Sequence, residues 1–136
     1  MLQIAAKWFI GFVDGISRHT CNLASAAWVI YSPSEMLVSF GGACLGPTTN
    51  NVAKYRVVIK LLWDALSHGV TQLEVIIDSQ LVVSQLNGAY QVWNPILLRQ
   101  FLLVILLEIN FDYISFSQIP WNENTITDAY TNYIID

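Results

Sequence analysis

Hydrophobic residues change their period several times along the chain, and each change marks an element. Trp8 to Gly15 (WFIGFVDG) is a run of bulky residues closed by Asp14-Gly15, which predicts a strand that ends on an aspartate. Residues 24–43 predict two strands about a turn at Ser32-Pro33-Ser34. From about residue 50 to 68 the period becomes helical. Val52, Tyr55, Ile59, Leu62 and Leu66 share one face, behind the oxygen-bearing run Thr48, Thr49, Asn50 and Asn51, and His68-Gly69 closes the helix. LEVIID, 73–78, is a short strand that again ends in an aspartate, and Leu81, Val82, Gln85 and Leu86 resume helical spacing as far as Asn87-Gly88. Asn94-Pro95 opens an apolar helix running to 109, residues 111–120 alternate as a strand, and 122–136 predicts a last helix carrying Asp128. The order β-β-β-α-β-α-α-β-α, hairpins first and a crossover afterwards, predicts an α/β fold with a mixed sheet and helices on its faces.

One residue breaks the pattern. The row Lys54, Val58, Leu61 and Ala65 adjoins the apolar face of the first helix, and all but its first member are apolar. A lysine therefore points inward one turn from the helix start.

Composition narrows the picture. With 136 residues and no linker, repeat or low-complexity stretch, residues 1–136 read as one domain with a proper core. The chain is 54% hydrophobic and only 12% charged, so some apolar surface is expected to meet a protein partner or a second copy. The apolar helix at 95–109 is the natural place for it, buried or covered. Its longest uninterrupted run, Phe101 to Leu107, is far short of the roughly 20 residues that a membrane-spanning helix needs. Met1 to Ala6 lacks the charged start and long apolar run of a signal peptide, so an intracellular protein with no membrane role is expected.

Net charge is −4, and the cations are Lys7, Arg18, Lys54, Arg56, Lys60 and Arg99. Only Lys54, Arg56 and Lys60 cluster, and one helix cannot aim all three the same way, which argues against tight, non-specific nucleic-acid binding. A hairpin folded about Ser32-Pro33 sets Cys21 opposite Cys44, although nothing suggests the oxidising compartment that a disulfide needs. Trp8, Trp28 and Trp63 lie in apolar runs and are expected in the core, Trp121 at the surface, and His19 and His68 at the surface.

The chemistry lies in the aspartates. If the strands ending in Asp14 and Asp78 are neighbours, two carboxylates meet at one edge and repel unless a cation sits between them. Asp128 would complete a three-carboxylate site, and oxygen-only ligation suits Mg²⁺ or Mn²⁺. Paired hard cations activate a water and stabilise the leaving oxygen of a phosphodiester. Taken singly, each aspartate also reads as a turn residue or an ordinary exposed acid.

FVDG near the start, TTNN opening a long helix, DSQLVVSQLNG, and NENTITDA near the end occur in the order found in type 1 ribonuclease H. The chain resembles that family over roughly residues 8 to 135, and most closely its short plant and retroelement branch, which lacks a basic protrusion. The resemblance implies a five-stranded mixed sheet and hydrolysis of the RNA strand of an RNA/DNA hybrid by an Asp-Glu-Asp-Asp set holding two Mg²⁺ ions. By motif, Asp14, Asp78 and Asp128 match the three aspartates, as catalytic residues and metal ligands. Gly15, Thr49, Asn50, Asn51, Ser79, Gln80 and Asn124 match substrate contacts, which read duplex shape and 2′-hydroxyls rather than sequence. Asn50 and Ser79 read equally well as helix caps.

Two positions depart from the family. Its glutamate falls on Lys54, whose ammonium cannot ligate a metal and brings positive charge to the ion site; ion pairs with Asp14 and Asp78 would make it a fixed substitute for one cation. A loop histidine common in the family falls on Gln118, which cannot shuttle a proton near neutral pH. The resemblance thus implies one or two weakly held ions and a hybrid-directed ribonuclease whose activity is attenuated or lost. The alternative is a non-catalytic binding or assembly module.

Overall fold

The computed structural model describes residues 8–18, 23–46 and 48–118, with backbone alone for 14–18, 23–25 and 45. The expected last helix, with Asn124 and Asp128, lies outside the described residues, as do His19, Cys21 and Trp121. Eight elements follow one another: β1 (Phe9–Arg18), β2 (Leu23–Tyr31), β3 (Leu37–Gly46), α1 (Asn50–Ser67), β4 (Gln72–Ile77), α2 (Gln80–Leu86), α3 (Pro95–Glu108) and β5 (Tyr113–Ser117). They form a five-stranded sheet in the order β3-β2-β1-β4-β5. β1–β2 and β2–β3 are antiparallel, while β1–β4 and β4–β5 are parallel. The mixed sheet is the one expected.

The β2–β3 turn is wider than the sequence suggests. Ser32 N donates to Met36 O at 2.8 Å, Ser32 Oγ accepts from Met36 N, and Glu35 takes a left-handed φ of 66°. These bonds hold Ser32 to Met36 outside the ladder and move the hairpin axis toward the C-terminus. Cys44 consequently pairs with Ser25, so the expected Cys21–Cys44 register is not formed, and Cys44 is an exposed free thiol.

The core lies between α1 and the sheet face carrying Val13, Ala26, Ile30, Leu73, Val75 and Ile77. α1 buries Tyr55, Val58, Leu61, Leu62 and Ala65 there. Trp63, expected inside, is 62% exposed. It shares an outward row with the exposed Arg56, Lys60 and Ser67, so an apolar neighbourhood in sequence misrepresents its face. α3 rests on the core through Leu97, Phe101, Val104 and Leu107, but Ile96, Leu102, Leu106 and Ile109 are exposed, so the described residues do not bury it.

The far end of α1 is tied down by polar bonds. Asp64 Oδ2 accepts from Trp28 Nε1 at 2.8 Å and from Ser39 Oγ at 2.7 Å, and Asp64 Oδ1 lies 3.2 Å from His68 Nδ1. The Trp28 ring lies over Gly41, its cross-strand partner, where an added Cβ would come within 2.2 Å of it. Gly41→Ala must therefore displace a ring that Asp64 holds. We expect a loss of about 1–3 kcal/mol, read as a fall of several degrees in Tm; an unchanged Tm would mean that the ring moves freely.

Candidate active-site edge

Parallel pairing of β1 with β4 runs from Phe9↔Leu73 to Val13↔Ile77. Asp14 and Asp78 are the next residues of each chain, so the backbone brings the two aspartates to neighbouring positions across strands about 4.8 Å apart. This is the adjacency the sequence pattern required. Asp78 is half-buried at the end of β4, and Gly15 continues β1 opposite Ala26.

Two helices begin at this edge, each with its own cap. Thr49 caps α1, its side chain accepting from Val52 N at 3.3 Å, while Asn50 and Asn51 are the first helical residues. The cap is thus Thr49 rather than Asn50. Ser79 caps α2, accepting from Val82 N at 3.2 Å, and leaves Gln80 exposed as its first residue. Ser79 therefore has a structural role whatever else it touches. Gln118 is exposed just after β5.

Lys54 is half-buried, and its Nζ donates to the main-chain oxygen of Asp78 at 2.8 Å. The expected ion pair with the Asp78 carboxylate is not made; the ammonium reaches the peptide instead. The reason is reach: one turn into α1, the lysine stem arrives at the end of β4, where the chain leaves the sheet and exposes a carbonyl. This charge-assisted bond ties α1 to the turn that carries Asp78 and Ser79.

A second tie was not legible from the sequence. Tyr55 OH donates to Gln85 Oε1 at 2.7 Å, both residues being buried, and joins α1 to α2. Asn87 Nδ2 donates to Phe116 O at 3.1 Å and fixes the other end of α2 to β5. Gln85 looked like one polar residue on a short apolar stripe; the only available signal was that a buried tyrosine needs an acceptor.

The implied ions can be tested against these donors. An ammonium has three N–H donors and no lone pair, so Lys54 cannot ligate. Among the described residues no three His, Cys, Asp or Glu side chains are grouped to hold a metal ion. At the position of the family's glutamate, Lys54 therefore offers a donor and no ligand.

A family model described as "Reverse transcriptase-like" matches residues 12–133. The structure of RNase H1 from the halophilic archaeon Halobacterium salinarum superposes with a TM-score of 0.82 at 35% identity, covering 94% of this chain and 97% of that one. The chain belongs to the ribonuclease H family. The N-terminal RNase H domain of a Mycobacterium tuberculosis protein gives a TM-score of 0.82 at 32% identity, over 94% of this chain and 98% of that one. LC11-RNase H1, isolated from compost and solved in complex with an RNA/DNA hybrid, gives 0.80 at 30% identity, over 94% of this chain and 96% of that one. Among curated sequences, the Halobacterium Ribonuclease HI is 35% identical over 92% of this chain, and a bifunctional M. tuberculosis protein 34% identical over 90%. The chain spans only 63% and 34% of their respective lengths. In this family setting Asp14, Lys54 and Asp78 lie where β1, α1 and β4 converge. Among the described residues, no helix is long and apolar enough to cross a membrane.

Burial pushes the Tyr55 hydroxyl up to about 12 from its usual 10.0. The folded state then keeps this proton where the unfolded chain has lost it. Stability from this group is complete below about pH 10 and declines as pH rises through about 12. Tyr55→Phe should flatten that alkaline decline and, by leaving Gln85 without its donor, lower stability at pH 7 by about 1–3 kcal/mol. Denaturant unfolding at pH 7 and above pH 10 checks both signs.

Proposed function

We propose that this chain is a ribonuclease H-type domain that recognises an RNA/DNA hybrid, and that its two-metal hydrolysis of the RNA strand is attenuated or lost. Recognition of a hybrid is supported by the family, by the hybrid-bound relative, and by the placement of Thr49, Asn50, Asn51, Ser79 and Gln80 around one edge. The observation that carries the attenuation is the bond from Lys54 Nζ to Asp78 O.

When bound, Mg²⁺ or Mn²⁺ would supply the activated water and the charge stabilisation of the leaving oxygen. Asp14, Asp78 and Asp128 are the residues proposed to hold it, with Gly15 and Asn124 among the substrate contacts. Lys54 stands where the family places a ligand. Its charge disfavours an adjacent ion by on the order of 4 kcal/mol per unit pair at about 4 Å and an effective dielectric near 20. Gln118 adds no proton shuttle.

A second reading has its own observation. The exposed apolar face of α3, with Ile96, Leu102, Leu106 and Ile109, suits a non-catalytic binding or assembly module that meets a protein partner or a second copy through 95–109.

Cleavage of a labelled RNA/DNA hybrid in Mg²⁺ and in Mn²⁺ separates the two. The parent chain should cut slowly or not at all, and Lys54→Glu should gain about 10²–10³-fold, the repulsion above expressed as rate. Equal cutting by both would show that Lys54 is no obstacle. If neither cuts, the module reading takes precedence.

A further inference from the structure

Two segments proposed to contact a hybrid meet at Lys54. On α1, Asn50 and Asn51 lie one turn before it, rotated from it by about 40° and about 60° in opposite senses, so the three residues share one side of the helix. The acceptor of Lys54 Nζ, 2.8 Å away, is the oxygen of the peptide that joins Asp78 to Ser79, and Gln80 follows. One hydrogen bond thus sets the first turn of α1 against the turn that opens α2. Asn50 and Gln80 are exposed on either side of it, while Asn51, Lys54, Asp78 and Ser79 are half-buried. The nature of the acceptor matters as much as its position. A peptide oxygen carries no net charge, so the bond fixes the ammonium in place without pairing its charge, and it uses one of three N–H donors.

We infer that Lys54 is the phosphate contact of this edge, its ammonium taking a backbone phosphate of the bound strand, so that this chain recognises a hybrid without a divalent ion. The inference rests on the hybrid-binding reading above and names the cation that the binding uses. A phosphate brought to an edge that bears Asp14 and Asp78 meets like charge, and a cation beside it lowers that cost. A dissolved ion can act there only when it binds. A tethered ammonium is always present, and the bond to Asp78 O has already ordered its long stem, which reduces what the contact costs in entropy. Lysine suits the task as a point charge that meets a phosphate oxygen from a range of directions. Such a contact goes to the backbone and carries no preference for base sequence.

Two measurements with a labelled RNA/DNA hybrid test this. The first is affinity as a function of salt, in EDTA and again in Mg²⁺. The parent chain should bind equally well in both buffers. Lys54→Gln, which keeps a donor for Asp78 O, should lower the slope of log K against log salt by about one. The second is made on the parent alone and reads contact rather than a structural role. Saturating hybrid in EDTA should slow acetylation of the Lys54 amine by N-acetoxysuccinimide several-fold, followed by mass spectrometry of the Lys54 peptide. Parent binding that requires Mg²⁺, an unchanged slope in Lys54→Gln, or a Lys54 amine that hybrid does not protect would each overturn the inference and leave hybrid recognition standing. Absence of hybrid binding by the parent in either buffer would overturn both.

Discussion

Parallel pairing of β1 with β4 is the constraint on which the rest of the molecule depends. Parallel neighbours cannot be joined by a tight turn, so the chain between them must cross the sheet, and here it does so after the β2–β3 hairpin by way of α1. That crossover sets α1 against the Val13, Val75 and Ile77 face and brings its first turns to the edge where β1 and β4 end. The same pairing makes Asp14 and Asp78 neighbours. Lys54, one turn into α1, reaches this edge and donates to the main-chain oxygen of Asp78.

The two ends of α1 then have different tasks. At the far end, Asp64 gathers Trp28, Ser39 and His68, which fixes the helix against β2 and β3. At the near end, Lys54 and Tyr55 reach across to the Asp78 carbonyl and to Gln85, so α2 and the turn before it are held from α1 as well as from β4. A charged side chain in a half-buried position is costly unless it is bonded, and the Asp78 carbonyl meets that need. The bond to the peptide oxygen ties α1 to the end of β4.

How far the sequence carried depended on the kind of information each feature needs. Element order was legible because the hydrophobic period switches between two and 3.6 at each boundary. Two strands ending alike marked Asp14 and Asp78 as a candidate pair, but that their strands are neighbours is shown only by the parallel pairing of β1 with β4. The hairpin register was not legible, since Ser32 bonds and a left-handed Glu35 set the turn length, and neither announces itself in a Ser-Pro-Ser run. Trp63 was misplaced because its apolar neighbours lie on the opposite side of the helix. For Lys54 the inward row was visible but the acceptor was not: a long flexible stem can satisfy its charge on a carboxylate or on a peptide, and only the geometry of the strand end decides.

The measurement that bears most directly on this account is a calorimetric titration of Mn²⁺ into the parent chain and into Lys54→Glu, both without nucleic acid. If Lys54 occupies the place of a ligand, the parent should show no saturable binding in the micromolar to low millimolar range, and the glutamate variant should acquire it. Equal binding by both chains would contradict the account, because it would place the Lys54 ammonium clear of the ion site.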